Sequence, residues 1–304
     1  MAHYIIAGGS GFVGQHLQKL LQGRGHQVSI LSTRKQINKS NHIYWDPTVA
    51  YIDPDFRCQQ GILINLAGAG VADKRWTAKR KEEIRLSRIQ SSETLYQAIR
   101  GGQLNVQSYL GASAIGFYAA DDKPHVETDP GDQSFLSQVC QQWEQSSLRI
   151  AQLNIPVSIA RIGIVMGQEG GALPALTQSF SFGIAGIPSG GNQIYSWIHV
   201  EDLCHLLLFL ADNRKEGIYN AVAPTPVSLK VLIHSAIRAS GKKVLSMPVP
   251  SFLLKLALGE MSIEVLKSSS VRADKILEAG FQFEFPEIQT CMNDLFAVKK
   301  VVEV

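Results

Sequence analysis

The feature that most constrains the fold is a glycine-rich stretch beginning at residue 8. The apolar run His3 to Ala7 precedes it and predicts a short buried strand. The stretch GGSGFVG has glycines at positions 8, 11 and 14, and residues 12–22 continue with the apolar spacing of a helix. A second apolar run, Gln27 to Ser32, closes a unit of about 30 residues. A strand, a glycine turn, a helix and a second strand are typical of a dinucleotide-binding βαβ unit.

The three glycines would have separate roles in such a loop. One makes a tight turn, one lets the backbone approach a pyrophosphate, and one lets the helix pack closely on the strand. The first helical residues would add free N–H groups and the positive end of the helix dipole. The alternative is a glycine turn without a ligand. We predict a dinucleotide site that includes Gly8, Gly11, Phe12, Val13 and Gly14.

The end of the second predicted strand distinguishes between the two common dinucleotides. An NAD site usually has Asp or Glu there, which binds the ribose 2′-OH. This chain has Ser32, Thr33, Arg34 and Lys35, with no carboxylate. Because a guanidinium can pair with a 2′-phosphate and stack on adenine, we predict NADP(H), with Arg34 as the main determinant and Thr33 and Lys35 assisting. Alternatively, these are only exposed turn residues.

The rest of the chain alternates between strand and helix patterns, which predicts a doubly wound parallel α/β sheet. Glycine-rich loops follow residue 165, and Ser228 is a predicted helix N-cap. The predicted strands lie at 61–66, 108–112, 157–161 and 281–285, a strand end runs into a helix over 197–210, and the other predicted helices lie at 79–101, 134–152, 249–266 and 271–278.

Composition limits the class of protein. Hydrophobic residues make up 45% of the 304 and charged residues 18%, as in ordinary globular domains. The net charge of +3 does not indicate nucleic-acid binding, and no apolar run is long enough to span a membrane. The four cysteines lack metal-ligand or CxxC spacing. We therefore expect a cytoplasmic protein without a bound metal, a membrane partner or a nucleic-acid partner.

Motifs along nearly the whole chain resemble the extended short-chain dehydrogenase/reductases. The resemblance is closest to their atypical branch, the NAD-dependent epimerase/dehydratase or "epimerase family protein" group, whose C-terminal domain has no known function. Besides the glycine loop, the matching stretches are NLAG at 65–68, ADKRW at 72–76, SR at 87–88, SAIGFY at 113–118, WE at 143–144, GGA at 170–172, WIHVEDL at 197–203, NAVAP at 220–224, GEM at 259–261 and LEAGF at 277–281.

This resemblance implies further cofactor contacts. Leu66 and Ala67, with the adjoining Gly68, would line the adenine–ribose side of the cofactor. Glu83 and Arg88, on the following helix, would reach the cofactor as well. A surface role for Arg88 is an equal alternative, because that helix has several basic residues.

The resemblance also implies a catalytic pattern that this chain lacks. Active members use a Tyr and a Lys four residues later, but no Tyr-x-x-x-Lys occurs here. Alignment on Glu144 puts Leu136 and Cys140 at those positions, and neither can do that chemistry. Ser113 stands where the family's substrate-orienting Ser belongs. We predict Ser113 and Tyr118 as the catalytic pair, with a packing role for Tyr118 as the alternative.

Three other polar residues each allow two interpretations. Glu144 could be a buried base or a helix-surface residue. His199 could face the ligand crevice or cap the next helix. Asn65 could bond a ribose or the backbone.

We therefore predict an NADP(H)-dependent oxidoreductase or epimerase acting on a small polar substrate, possibly a sugar nucleotide. The alternative is an NADP(H)-binding regulator or partner protein without turnover. A homodimer is left open. The predicted domains are a Rossmann domain, 1–166 plus 196–222, and a C-terminal substrate lobe, 167–195 plus 223–304.

Overall fold

The structure, a computed structural model, describes residues 1–35, 41–121 and 123–297. The strands are β1 His3–Ala7, β2 Gln27–Ser32, β3 His42–Asp46, β4 Tyr51–Ile52, β5 Cys58–Asn65, β6 Leu104–Ala114, β7 Val157–Ile162, β8 Ile164–Met166, β9 Ile184–Pro188, β10 Ile194–Tyr195, β11 Trp197–His199, β12 Gly217–Ala221, β13 Val227–Ser228 and β14 Leu245–Val249. The α-helices are α1 Phe12–Gly23, α2 Ala78–Arg100, α3 Phe135–Leu148, α4 Leu173–Thr177, α5 Val200–Asp212, α6 Leu229–Ser240, α7 Ser251–Leu258, α8 Ser262–Leu266, α9 Asp274–Glu278 and α10 Ile288–Phe296. The 3-10 helices are Pro47–Val49, Ile115–Phe117, Arg149–Leu153, Gln178–Phe182, Ser189–Gly191 and Gly259–Met261.

One large sheet organises the chain, in the order β12-β7-β6-β5-β1-β2-β3-β4. All its pairings are parallel except β3 with β4, where a tight turn reverses the chain at the edge. The chain leaves β1 for β2 and β3 on one side, then returns to β5 on the other side of β1. This reversal makes β1 and β5 the switch point of the sheet. The predicted doubly wound parallel α/β fold is confirmed.

Helices cover both faces of this sheet. On one face, α1 packs beside α5, and Leu17, Leu206 and Leu207 are fully buried there. On the other, α2 packs beside α3, and Leu95 contributes to a second apolar cluster. Each buried leucine contributes about 1.5–3 kcal/mol of apolar burial, which holds the three layers together.

A further apolar cluster joins α6 and α10 to the short strand β9, which pairs with β14. It also contains Met166 and Trp197, from the ends of β8 and β11. The division into a Rossmann domain and a C-terminal lobe stays a prediction, and the lobe's last residues, 298–304, lie outside the described part of the chain.

The predicted strand at 281–285 is wrong. This segment contains no strand, because the backbone N–H groups of Glu284 and Phe285 donate to the buried carboxylate of Asp202 at 2.8 and 2.9 Å. A side chain of α5 thus takes the place of a neighbouring strand as the acceptor. The predicted N-cap at Ser228 is confirmed, since its hydroxyl accepts the N–H of Val231.

Candidate functional site

The crevice outside the carboxyl ends of β1 and β5 is built around Gly8. This glycine has φ +80°, a conformation that L side chains rarely adopt. A Cβ here would lie 2.7 Å from the carbonyl carbon and oxygen of Leu66. The loops that follow the two strands therefore touch through their backbones, which is possible only without a side chain at Gly8.

The start of α1 packs equally closely on this loop. A Cβ on Gly14 would lie 2.6 Å from the Gly8 oxygen and the Gly9 Cα. Gly11 is the N-cap of α1 and has no side chain to accept a hydrogen bond from the first turn. The N–H groups of that turn are thus left for an external anion, which the helix dipole also favours.

A cavity of about 680 Å³ opens beside this loop. It extends from the glycine loop past the end of β2 to the part of α2 between Glu83 and Gln90. Of the residues predicted to hold a cofactor, the cavity is lined by Gly8, Thr33, Ala67, Gly68 and Glu83. Its remaining wall comes from Ser10, Leu31, Ser32, Trp45, Asp46, Pro47, Thr48, Ala69, Leu86, Ser87 and Gln90.

The sequence analysis did not predict that residues 45–48 would form part of the cavity wall. Trp45 is buried at the end of β3, and the carboxylate of Asp46 accepts the N–H of Thr48 at 3.0 Å. The only sequence signal was an Asp-Pro turn after an aromatic pair, which does not by itself point to a ligand. Asp46 also places a carboxylate in the wall of the cavity, although residues 32–35 at the end of β2 contain none.

The other predicted cofactor residues lie around the cavity without lining it. Arg34 and Lys35 are exposed on the turn after β2. The Ser32 hydroxyl accepts the Arg34 N–H at 3.2 Å and thereby fixes the start of that turn. The group outside the lining consists of Gly11, Phe12, Val13, Gly14, Arg34, Lys35, Leu66 and Arg88.

The Phe12 side chain faces a second glycine-rich loop. A Cβ on Gly167 or Gly170 would lie 2.2 or 2.5 Å from the Phe12 ring. Those glycines therefore make room for the ring, and the loop after β8 closes over the start of α1.

Arg88 lies half-buried behind the loop after β5. Its guanidinium donates to the carbonyl oxygens of Ala69 and Ile84 and stacks 4.9 Å from the Trp143 ring. Glu83 instead pairs with Arg80 at 2.8 Å. Arg88 thus holds the loop in shape from behind, while Glu83 faces the cavity.

Asn65 is fully buried at the end of β5. Its side-chain oxygen accepts the Ala67 N–H at 3.1 Å, and its amide group donates to the Tyr109 hydroxyl at 3.0 Å. In this structure the side chain bonds the backbone and a neighbouring phenol. It fixes the path of the NLAG loop that lines the cavity.

Ser113 is hydrogen-bonded to a buried ion pair. Its hydroxyl donates to Glu144 at 2.6 Å, and both Glu144 oxygens accept from Arg161 at 2.8 and 2.9 Å. All three residues are less than 5% exposed. Burial alone would lower the pKa of Arg161, but its contacts with Glu144 outweigh burial and raise it. Arg161 therefore stays charged.

Tyr118 belongs to the same network. Its hydroxyl donates to Asn220 at 2.6 Å and accepts from Arg161 at 2.9 Å, and its ring stacks on His125. Burial raises the pKa of Tyr118 to about 12, although Arg161 opposes this shift. The residue is completely buried and lines neither the large cavity nor its neighbours. Its acid/base role stays a prediction, and the geometry favours the packing alternative.

Replacing Tyr118 with Phe should lower the free energy of unfolding by about 1–3 kcal/mol, because Arg161 and Asn220 each lose a buried partner. Urea unfolding followed by circular dichroism would measure this change. Tyr51, which is 40% exposed, offers a matched control, and its change to Phe should cost less than about 0.5 kcal/mol. Equal stability of the two variants would contradict the proposed contribution of the network.

The helix expected to carry the Tyr and Lys is α3. Cys140 is buried on it, and burial, reinforced by the charge of Glu144, raises the pKa of this thiol to about 11. Cys140 is therefore a neutral thiol, and Leu136 has no titrating group. The structure thus supplies no replacement for the missing pair on this helix.

His199 caps α5. Its Nδ1 accepts the Glu201 N–H at 3.1 Å, and its Nε2 lies 3.3 Å from the Asp294 carboxylate. This arrangement favours the capping interpretation. Across the part of the chain that the structure describes, no cluster of His, Cys, Asp and Glu could hold a metal ion. No helix of the described residues is long and apolar enough to cross a bilayer.

Two family models match this chain. One is the NAD dependent epimerase/dehydratase family, over residues 4–221. The chain belongs to this family. The other is a domain of unknown function, DUF1731, over residues 249–295. The resemblance seen in the sequence is thus confirmed for both the N-terminal and the C-terminal region.

Similar family members span the whole length of the chain. An epimerase family protein of Staphylococcus aureus strain MRSA252 is 34% identical and covers 98% of this chain and 100% of its own length. The crystal structure of the human epimerase family protein SDR39U1 with NADPH has a TM-score of 0.88 at 26% identity, covering 97% of this chain and 99% of that one. A nucleoside-diphosphate sugar epimerase of Corynebacterium glutamicum has a TM-score of 0.76 at 25% identity, covering 99% of this chain and 59% of that one.

Proposed function

We propose that this protein is an NADP(H)-dependent oxidoreductase or epimerase that acts on a small polar substrate. The observation that carries the proposal is the 680 Å³ cavity at the switch point, bordered by a glycine loop that leaves no room for a Cβ at Gly8 or Gly14. Ligands of open α/β sheets bind at this position. The human relative, whose structure contains NADPH, supports the choice of cofactor.

The residues present fit a dinucleotide. The pyrophosphate would lie against the first turn of α1, and the adenosine would enter the cavity between the ends of β2 and β5. NADP(H), when bound, supplies or accepts a hydride. The residues proposed to hold it are Gly8, Gly11, Phe12, Val13 and Gly14 at the pyrophosphate, Thr33, Arg34 and Lys35 at the 2′-phosphate, Leu66, Ala67 and Gly68 at the adenine–ribose side, and Glu83 and Arg88 from α2.

The 2′-phosphate assignment has a direct test. Arg34→Ala should raise the NADPH dissociation constant about tenfold to a hundredfold, because a charge-assisted hydrogen bond is worth about 1.5–3 kcal/mol. The NADH dissociation constant should not change, since NADH has no 2′-phosphate. Fluorescence titration of both cofactors measures the two effects.

Arg57 provides the matched control for this titration. It is exposed just before the amino end of β5, whereas the cavity lies beyond the carboxyl ends of the strands. Arg57→Ala should leave both dissociation constants unchanged. An Arg34→Ala protein that binds NADPH as the parent does would refute the assignment and leave Thr33 and Lys35 as the remaining candidates.

On the substrate side, we propose that Ser113 orients the reacting oxygen. Its hydroxyl donates to Glu144 and keeps its lone pairs for an incoming donor. Tyr118 stays a candidate acid/base whose proton would have to leave the bond with Asn220. A homodimer and a cytoplasmic location also stay predictions.

A second candidate function is an NADP(H)-binding regulator without turnover. The observation in its favour is that α3 carries Leu136 and Cys140 where active relatives of the superfamily would carry the Tyr and Lys, and that Tyr118 is engaged in a buried network. The variant Ser113→Ala separates the two functions. Loss of an NADPH-dependent activity with cofactor binding retained supports the enzyme, whereas NADPH binding without turnover of any carbonyl compound tested supports the regulator.

A further inference from the structure

A second, smaller cavity lies where β6 ends and the C-terminal segment crosses over it. Its volume is about 170 Å³. Ile115 and Gly116, which directly follow the Ser113 strand, form part of its wall, and Glu264, Lys267 and Ser269 form another part. The cavity therefore joins the proposed catalytic strand to the part of the chain that matches the domain of unknown function.

Ser269 supplies the first sign of a ligand in this cavity. The residue is 7% exposed, and its hydroxyl oxygen is buried without a hydrogen-bond partner among the described residues. Both backbone polar groups of Ser269, in contrast, have partners. Its N–H donates to the carbonyl oxygen of Ile194, and its carbonyl oxygen accepts from the hydroxyl of Ser196. Leaving a buried hydroxyl unpaired costs free energy, so a bound hydroxyl or carbonyl group would stabilise this arrangement.

Two charged groups line the same cavity. The Lys267 ammonium group donates to the backbone oxygen of Tyr118 at 2.6 Å, which ties the C-terminal segment to the loop after β6. Glu264 is half-buried beside it, and burial raises the pKa of its carboxyl, with Lys267 opposing the shift and Asp132 adding to it. The cavity thus offers both donors and acceptors within a small space.

Its size and its remaining wall limit what can enter. The volume is a quarter of the 680 Å³ cavity proposed for the nucleotide, and it is below the roughly 300–1,000 Å³ of pockets for drug-sized ligands. Ile115, Ile164 and Ile194 add apolar side chains to the same lining. A single sugar ring has this combination of hydroxyl groups at its edge and C–H groups on its face.

We propose that this cavity binds the reacting part of the substrate, and that the substrate is a free monosaccharide or a polyhydroxylated carbonyl compound of similar size. Glu264, Lys267 and Ser269 bind its hydroxyl and carbonyl groups, and the isoleucines contact its carbon skeleton. This inference rests on the proposed function, because it takes this cavity, which Ile115 and Gly116 line directly after the Ser113 strand, as the substrate side of an NADP(H)-dependent enzyme. A sugar carried on a nucleotide is the competing class.

The test uses the full-length protein and ligand-observed saturation-transfer NMR. NADPH binding is first measured by fluorescence on each sample, and then D-glucose, D-xylose and UDP-glucose are titrated with and without NADPH. The variants Ser269→Ala and Glu264→Gln should each weaken sugar binding by about fivefold or more, because the first removes a hydroxyl group and the second replaces a carboxylate acceptor with a neutral amide. Their NADPH affinity should stay that of the parent protein.

The matched controls are Ser251→Ala and Glu278→Gln. Both residues are exposed in the C-terminal part of the chain, on α7 and α9, and neither lines the cavity. They should bind the sugars as the parent does. Loss of sugar binding in the controls as well would show a general effect on folding and would overturn the assignment to Glu264 and Ser269.

Other outcomes separate the inference from the proposed function. The inference is overturned if no sugar binds, or if the two cavity variants bind as the parent does. It is also overturned if UDP-glucose binds more than about tenfold tighter than D-glucose and UDP displaces it, since the nucleotide would then supply about 1.4 kcal/mol or more. If NADPH fails to bind, the proposed function is contradicted, while the titration without NADPH still decides the sugar cavity.

Discussion

Replacing Gly14 with Ala should weaken NADPH binding about tenfold to a hundredfold and lower the free energy of unfolding by about 1–3 kcal/mol. The added Cβ would lie 2.6 Å from the Gly8 oxygen and the Gly9 Cα, and 2.8 Å from the Gly9 carbonyl carbon. All three atoms belong to the backbone of the glycine loop and cannot rotate away. The first turn of α1 must therefore shift, and its N–H groups move away from the pyrophosphate.

This result would be opposite to the usual effect of the same change in a helix. Replacing Gly by Ala inside a helix normally stabilises a protein by about 0.5–1 kcal/mol, since Ala restricts the unfolded chain. A Cβ added to Gly23, the last residue of the same helix, would have no atom within 4 Å. Gly23→Ala should therefore raise stability by up to about 1 kcal/mol and leave NADPH affinity unchanged.

The pair of variants can be measured by isothermal titration with NADPH and by urea unfolding. If Gly14→Ala binds NADPH as tightly as Gly23→Ala, the loop at 8–14 does not hold the cofactor. If Gly14→Ala loses stability but keeps its affinity, the glycine serves only the packing of α1 on the strand loop.

The sequence predicted the first βαβ unit closely. The strands His3–Ala7 and Gln27–Ser32 were predicted at their observed bounds, and the helix between them ends one residue later than predicted. The signals there are local. Apolar spacing marks the elements, and the glycines allow the close approaches at Gly8 and Gly14 that the structure contains.

The strands that were not predicted from the sequence depend on contacts between residues far apart in the chain. The strand β3 places Trp45 in the wall of the large cavity only because it pairs with β2. Similarly, β12 completes the sheet through its pairing with β7. Neither segment has a regular apolar alternation strong enough to reveal such a partner.

The contacts within the candidate site also could not be predicted from local sequence patterns. Ser113 and Glu144 were each identified from their motifs, but their hydrogen bond joins residues 31 positions apart. Nothing in the sequence indicated that Arg161 would neutralise Glu144, because a basic residue at the end of a strand is an ordinary observation. The pairing required the sheet to bring β6 and β7 together beneath α3.

Breaking this ion pair should have a larger effect on stability than any other change proposed above. The Arg161 and Glu144 side chains are 2% and 6% exposed, with bonds of 2.8 and 2.9 Å. Arg161→Met would leave the Glu144 carboxylate buried without its cation, and Glu144→Leu would leave the guanidinium without its anion. Each variant should lower the free energy of unfolding by about 3–5 kcal/mol.

The double variant Glu144→Leu/Arg161→Met should recover more than half of the sum of the two losses. It removes both charges together, and apolar side chains of similar volume can replace a buried ion pair at little cost. Arg149→Ala provides the control, since Arg149 pairs with Glu93 at the surface, where such a pair contributes about 0–1 kcal/mol. Urea unfolding of the parent, the two single variants and the double variant gives the coupling energy. A double variant as unstable as the sum of the singles would mean that the two side chains act through separate contacts, with Ser113 for Glu144 and with Tyr118 for Arg161.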